Sequence, residues 1–252
     1  MQSKSNPWIV RRSPRSQAVL RLFCFPHAGA GSVIFRDWFN AFPEHIEVCA
    51  IEPPGRLARR SERSPRDLDE FTRALEAALA GYLDLPYALF GYSLGALMAF
   101  ECARALRRNQ GLEPRHLIVA AHKAPHIPLK HAPISHAPKE SFVHELERRY
   151  GPIEPVIKAE PELLDTIVDI MRTDLVMLER YRHQPDTALR CPVVAIGGQQ
   201  DLSVDRAALQ GWQAHTTGGF RTEWFPGGHF FLRQQPQKLR ALIQEELTRA
   251  AL

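Results

Sequence analysis

Short apolar runs alternate along this chain with longer stretches whose apolar residues recur at helical spacing. Val19–Phe25, Ile46–Ile51, Tyr87–Tyr92, His116–Ala121, Val193–Gly197 and Phe220–Phe225 are short and rich in β-branched or aromatic residues. Each is bounded by Gly, Pro or charged positions, which is the pattern of a strand. Between them, Asp67–Leu83, Leu94–Arg108, Val204–Gln213 and Gln237–Leu252 have helical period. Near-continuous apolar strands separated by helices predict an α/β fold, a mostly parallel sheet covered by helices on both faces.

One region breaks the alternation. From Lys123 to Gln184 no strand pattern occurs. The region opens with a Pro- and His-rich loop holding Pro125, Pro128, Pro133 and Pro138. Helical patterns follow near Glu140–Tyr150 and Pro161–Arg182, separated by Pro152 and Pro155. An insertion of this length between two strands predicts a lid or a substrate-shaping subdomain. The expected division is a core of residues 1–122 and 185–252 with a helical lid insertion over 123–184.

Composition excludes several classes. A chain of 252 residues, 44% hydrophobic and 24% charged, suits one soluble globular domain. Its net charge of +4 is modest, and no Lys/Arg-studded helix or aromatic-basic strand provides a nucleic-acid site. No run approaches the ~18 apolar residues of a membrane span. Arg11, Arg12 and Arg15 imitate the start of a signal peptide. The next apolar run is interrupted by Arg21 and lacks a small-residue cleavage site, so a cytoplasmic protein is expected. The four cysteines, Cys24, Cys49, Cys102 and Cys191, are scattered through apolar runs and read as buried thiols.

The strongest chemical signal is Gly91-Tyr92-Ser93-Leu94-Gly95, placed between the strand Tyr87–Tyr92 and an Ala-rich helix. That context makes a nucleophile elbow: a serine on a strained strand-to-helix turn, with flanking glycines that admit neighbouring segments. The helix start turns free amides and its positive dipole end toward a developing oxyanion. A serine hydroxyl needs a base, and in this arrangement the acid and then the histidine follow it in the chain. Gly227-Gly228-His229 comes just after the last strand pattern, so His229 is the expected base. Asp201 follows Val193–Gly197 and is the expected orienting acid. Its rival, Asp205, is well explained as a charge in the first turn of the next helix, so Asp201 is preferred.

Two backbone amides should hold the oxyanion. Leu94 follows the nucleophile and supplies one. The other belongs to the loop Pro26-His27-Ala28-Gly29-Ala30-Gly31, with Ala28 expected and Gly29 the near alternative. His27 is expected to pack or to hydrogen-bond this loop rather than to transfer protons. The histidines at 122, 126, 131, 136 and 144 match no metal-ligand spacing, so no metal is expected. Phe23, Phe25, Phe35, Trp38 and Phe39 read as core or pocket wall. No dinucleotide or Walker loop is present.

Taken together, these segments resemble the type II thioesterases of nonribosomal peptide and polyketide synthesis, within the α/β-hydrolase superfamily. The resemblance is carried by Phe25-Pro26-His27-Ala28-Gly29, Pro54-Gly55-Arg56, Gly91-Tyr92-Ser93-Leu94-Gly95-Ala96, Arg172-Thr173-Asp174 with Tyr181, Gly197-Gly198 through Asp201, and Gly228-His229-Phe230-Phe231. It spans about Arg21 to Leu232. Departures fall at Tyr92, Leu94, Ala30 and Thr173, where the family usually has His, Met, Gly and Ala. The resemblance implies an α/β-hydrolase fold and hydrolysis of acyl groups from the phosphopantetheine arms of acyl or peptidyl carrier proteins. Small acyl thioesters would serve as model substrates, with no cofactor and a monomeric enzyme. A carboxylesterase acting on free esters and a non-catalytic binding module are the competing readings.

Two finer expectations remain. Met171, Leu175 and Leu178 fall on one helical face by i, i+4, i+7 spacing, and line the acyl chamber or else pack on the core. Arg56, Arg59, Arg60, Arg63 and Arg66 form a basic cluster after the second strand. It is a solvated loop interleaved with Glu62 and Asp67, or a steering surface for an acidic carrier.

Overall fold

The computed structural model describes residues 6–12 and 15–249. The expected C-terminal helix runs on to Ala250, Ala251 and Leu252, which lie outside the described residues. Among the described residues, seven strands form one sheet: β1 Ile9–Val10, β2 Leu20–Phe25, β3 Ile46–Ile51, β4 Tyr87–Tyr92, β5 Leu117–Ala120, β6 Val193–Gly198 and β7 Phe220–Phe225. Their order is β1-β3-β2-β4-β5-β6-β7. All neighbours are parallel except the edge pair β1–β3, which is antiparallel.

Alternate strand residues feed two apolar layers, as the strand period of two requires. Phe23 and Phe25 of β2 enter one layer with Phe71, Leu75 and Leu79 of α1 (Leu68–Leu79) and with most of α2 (Leu94–Gln110). Leu22 and Cys24 enter the other, with Phe35 and Trp38 of a 3-10 helix over Ser32–Asn40. Each buried Leu or Phe side chain stabilises the fold by ~1.5–3 kcal/mol relative to exposure. Phe23, Phe25, Phe35 and Trp38 are therefore core, as one of the two readings had it, while Phe39 packs at the margin. The helix expected from Asp67 begins one residue later because Asp67 caps it, accepting a hydrogen bond from the Glu70 amide.

Residues 123–184 join β5 to β6 and carry α3 (Lys139–Tyr150), α4 (Pro155–Lys158) and α5 (Pro161–Arg180). Gly151-Pro152 follows the end of α3, and Pro155 and Pro161 each open a helix, where a missing amide costs nothing. Phe142, Leu146, Val168 and Leu175 bury a small cluster of their own. After β6 the chain forms α6 (Arg206–Gln210) and a 3-10 turn over Gly211–His215, where one continuous helix was expected. After β7 come α7 (Phe231–Gln234) and α8 (Pro236–Arg249). Leu239, Ile243 and Leu247 of α8 close the second layer.

The chain runs outward from β2 to β3 and then crosses back to β4. The order of strands thus reverses between β2 and β4, and the carboxyl ends of those strands are where such sheets place ligands. The oxyanion loop follows β2 and Ser93 follows β4.

Candidate active site

Ser93 turns from β4 into α2 with φ 54° and ψ −121°. Such a conformation costs an L residue ~1–3 kcal/mol and persists only where its surroundings hold it. Here the Ser93 amide donates to the Ala120 carbonyl at 2.8 Å. A Cβ on Gly91 would collide with the Gly95 carbonyl, and one on Gly95 with the carbonyls of Phe25 and Pro26. The glycines therefore let the first turn of α2 lie directly against the loop that follows β2.

His229 Nε2 is 2.9 Å from Ser93 Oγ, and its Nδ1 is 2.9 Å from Asp201 Oδ2. With the Nδ1 proton donated to Asp201, Nε2 is free to accept the Ser93 hydroxyl proton. The loops that bring these groups together are joined by backbone. Gln199 donates to Phe225 at 2.8 Å and Gln200 to Gly227 at 2.9 Å. The Asp201 side chain is fully buried. Burial pushes its carboxyl up, but hydrogen bonds from His229 and from Ser203 outweigh this and hold it below the usual aspartate value. Asp205 stands apart from this chain, since its carboxylate caps α6 by accepting from the Ala208 amide at 2.9 Å.

Two supporting residues had not been singled out for these contacts. Ser203 donates to Asp201 Oδ1 from its amide at 2.8 Å and from its hydroxyl at 2.7 Å, and its Oγ lies 3.0 Å from His229 Nδ1. Its sequence signal was a serine two positions after an aspartate, the spacing of an Asx turn. Tyr92 donates its phenol proton to the His229 carbonyl and accepts from the Leu232 amide at 3.3 Å. It had been treated only as a family departure.

Asp174 of α5 distinguishes the two candidate amides of the loop after β2. Its Oδ2 accepts the Gly29 amide at 2.7 Å, so Gly29 is committed elsewhere. Among the described residues no acceptor takes the Ala28 amide. Leu94 opens α2, where an amide has no carbonyl four residues earlier within the helix. His27 Nδ1 lies 2.9 Å from the Ala28 carbonyl, and its ring stands edge-on to Tyr92 and Phe230. Burial lowers its pKa to about 4, so at neutral pH it is an uncharged pin for the loop.

Two cavities meet at Tyr150, and only the smaller has triad residues in its wall. One of about 60 Å³ is lined by Ser93, His229, Lys123, Tyr150, Leu175 and Leu178. The other, of about 340 Å³, is lined by His27, Ala28, Tyr150, Met171 and Phe230 among others. Tyr150 belongs to both, and its ring lies 4.8 Å from that of His229. The single face expected of α5 is thus divided: Leu175 and Leu178 line the nucleophile's cavity, whereas Met171 lies against Gly29 on the oxyanion-loop side. Leu175 packs in the inserted segment's own cluster rather than on the sheet's core, whereas Leu178 packs against both. A larger groove of about 520 Å³ between α1, α2 and the end of α5 contains no triad residue.

The arginine cluster is mostly committed to the fold. Arg56 forms a buried ion pair with Asp174 and donates to the Pro54 carbonyl at 2.6 Å. Buried Arg59 pairs with Glu62, donates to the Glu52 carbonyl and lies 4.3 Å from the Trp8 ring centroid. Arg63 and Arg66 share Glu70. Among the described residues, all four cysteines are free and buried. No group of three His, Cys, Asp or Glu among them is placed to hold a metal ion, and no helix is long and apolar enough to cross a membrane.

A doubly covered parallel sheet with this serine–histidine–aspartate chain at its switch point defines an α/β-hydrolase of the serine hydrolase type. Within that class, the chain belongs to the thioesterase family, whose model, described as "Thioesterase domain", matches residues 20–247. The protein named Linear gramicidin dehydrogenase LgrE, from Brevibacillus parabrevis, is 35% identical over 242 residues, covering 95% of this chain and 92% of its own. Gramicidin S biosynthesis protein GrsT, from Aneurinibacillus migulanus, is 33% identical over 245 residues, covering 97% of this chain and 95% of its own. The solved structure of the type II thioesterase BorB from the borrelidin biosynthetic cluster is similar at TM-score 0.88 and 32% identity, covering 98% of this chain and 100% of that one.

Proposed function

We propose that this protein is an editing thioesterase that hydrolyses acyl groups from the phosphopantetheine arms of carrier proteins in nonribosomal peptide or polyketide synthesis. The observation that carries the reading is the unbroken Ser93–His229–Asp201 hydrogen-bond chain, in a chain similar to BorB over 98% of its length.

In this reading His229 Nε2 takes the Ser93 proton as Oγ attacks the thioester carbonyl. The amides of Leu94 and Ala28 hold the resulting oxyanion. Collapse breaks the C–S bond, and the imidazolium gives its proton to the departing thiolate. Water, deprotonated by His229, then attacks the acyl-serine and releases the free acid. A thiol of pKa ~8.5 leaves readily, so no metal or other cofactor is needed. Residues 123–184 act as the lid, residues 1–122 and 185–252 as the catalytic core, and the enzyme works as a cytoplasmic monomer. A dinucleotide-dependent reaction, suggested by one relative's name, has no counterpart here. Gly29-Ala30-Gly31 is followed by Ile34 where a third glycine would stand, and Asp174 occupies the Gly29 amide.

The test compares hydrolysis of acyl-loaded carrier proteins with hydrolysis of free p-nitrophenyl esters of the same acyl groups. Preferential release from carriers is expected. A preference for the free esters would make the protein a carboxylesterase.

A further inference from the structure

The two cavities that meet at Tyr150 differ in kind. The smaller, about 60 Å³, has Ser93 and His229 in its wall, with Leu175 and Leu178 of α5. The larger, about 340 Å³, has neither triad residue. It is bordered by the loop after β2, and Leu146, Ile157, Ile167 and Ile170 give it an aliphatic wall. Tyr150 alone lines both. An acyl group on Ser93 therefore starts in the smaller cavity, with the aliphatic space on the far side of Tyr150.

The chain itself passes from one cavity to the other at this residue. Arg149 lines the smaller, Gly151 and Pro152 the larger. Tyr150 is the last residue of α3, and Gly151 leaves the helix at φ 109°, which glycine adopts without strain. The end of α3 is held by Arg149, which pairs with Glu145 and donates to the Ala132 carbonyl at 3.0 Å. The Tyr150 ring packs against the cluster of Phe142, Leu146, Val168 and Leu175. It also lies 4.8 Å from the His229 ring, inclined to it by 55°. His229 is in turn fixed by Ser93 and Asp201. The ring thus stands between a fixed base and a packed cluster. Among the described residues its hydroxyl has no hydrogen-bond partner, so it is the ring that serves the site.

We propose that the Tyr150 ring is a specificity-determining partition that stops the acyl chain on Ser93 short of the aliphatic cavity. This rests on the thioesterase reading above and narrows its substrates to chains of a few carbons. A cavity of about 60 Å³ admits only a short chain, and a close-packed wall does not yield to added methylenes. Without the ring, the smaller cavity would open into the larger one. A longer chain could then leave water for aliphatic surroundings.

The N-acetylcysteamine thioesters of butyric and octanoic acid, uncharged and alike at the reacting carbonyl, isolate chain length. Wild type should hydrolyse butyryl with the higher kcat/KM. Tyr150→Ala should raise the octanoyl-to-butyryl ratio of kcat/KM at least ~10-fold. Tyr150→Phe, which keeps the ring, should hold the wild-type ratio. Tyr150→Leu, which keeps an apolar group in the cluster, guards against a folding defect and should move the ratio in the same direction as Tyr150→Ala. Adding Ile170→Trp to Tyr150→Ala should abolish the gain by filling the space the longer chain enters. Equal falls on both substrates in Tyr150→Ala and Tyr150→Leu would assign the ring to the support of His229 and overturn the proposal. An unchanged ratio in either variant, shown by thermal unfolding to be folded, would overturn it too, because the chain would then run elsewhere. Wild type that hydrolyses neither thioester would refute the thioesterase reading itself. Wild type that prefers octanoyl would refute only the partition.

Discussion

The phenol of Tyr92, the residue before the nucleophile, donates its proton to the backbone carbonyl of His229. Nucleophile and base are 136 positions apart in the chain, and this bond joins their supporting segments directly. Tyr92 is fully buried. Removing its hydroxyl leaves the His229 carbonyl without that donor, at a stability cost of ~1–3 kcal/mol. Tyr92→Phe should lower kcat several-fold with little change in KM, because the base moves while the cavities do not. Labelling of Ser93 by a fluorophosphonate should slow in parallel. A variant with lowered thermal stability but wild-type kcat would show that the His229 loop holds its place without Tyr92.

Asp201 and Asp205 are separable by one substitution each. Asp201→Asn should keep the fold and lose ~10⁴-fold in kcat, since an amide favours the wrong imidazole tautomer. Asp205→Asn should be nearly silent, because asparagine caps a helix about as well as aspartate. Steady-state hydrolysis of one acyl thioester by both variants decides the assignment.

The lowered Asp201 pKa also makes a statement about stability. Below its unfolded value of ~3.9, the unfolded chain binds this proton more readily than the folded one. Asp201 therefore stabilises the fold fully above that value, and the contribution is lost as pH falls through the lower folded value. Wild-type Tm should fall more steeply than that of Asp201→Asn between pH 5 and pH 2. Parallel curves would mean that other carboxylates govern acid unfolding.

Asp174 ties the inserted helix α5 to two core loops through Gly29 and Arg56. Asp174→Ala should destabilise the protein by ~3–5 kcal/mol, since it strands a buried guanidinium. Replacing the pair together, as Arg56→Met with Asp174→Leu, should restore much of that stability. It should not restore kcat, because the Gly29 amide loses its acceptor and the oxyanion loop its fixed position. Full recovery of both in denaturation and turnover assays would make the pair purely structural.

Much of this arrangement was legible in the sequence, for identifiable reasons. β3, β4 and β7 have the expected bounds because strands flanked by turn residues leave sharp limits. β1 was not expected: two residues are too short to show a period, and Ile9 pairs with Ile51 far along the chain. The 3-10 helix over Ser32–Asn40 was missed because its three-residue turn falls between the strand and α-helix periods. Ser93, Asp201 and His229 were readable because each follows a strand at the same sheet edge. The Arg56–Asp174 pair spans 118 residues, and no local period reports so distant a contact. Only the two motifs of the family resemblance pointed to those residues. The arginine run read as ambiguous because sequence shows charges but not the carbonyls and carboxylates that hold Arg56 and Arg59.

The most direct measurement is release of free acid from an acyl-loaded carrier protein by wild type and by Ser93→Ala. Wild type should empty the carrier. Ser93→Ala should be at least ~10³-fold slower while keeping its fold, because the hydroxyl does chemistry and fills little space. A wild type that leaves the carrier loaded, or a Ser93→Ala variant that empties it at a comparable rate, would contradict the account.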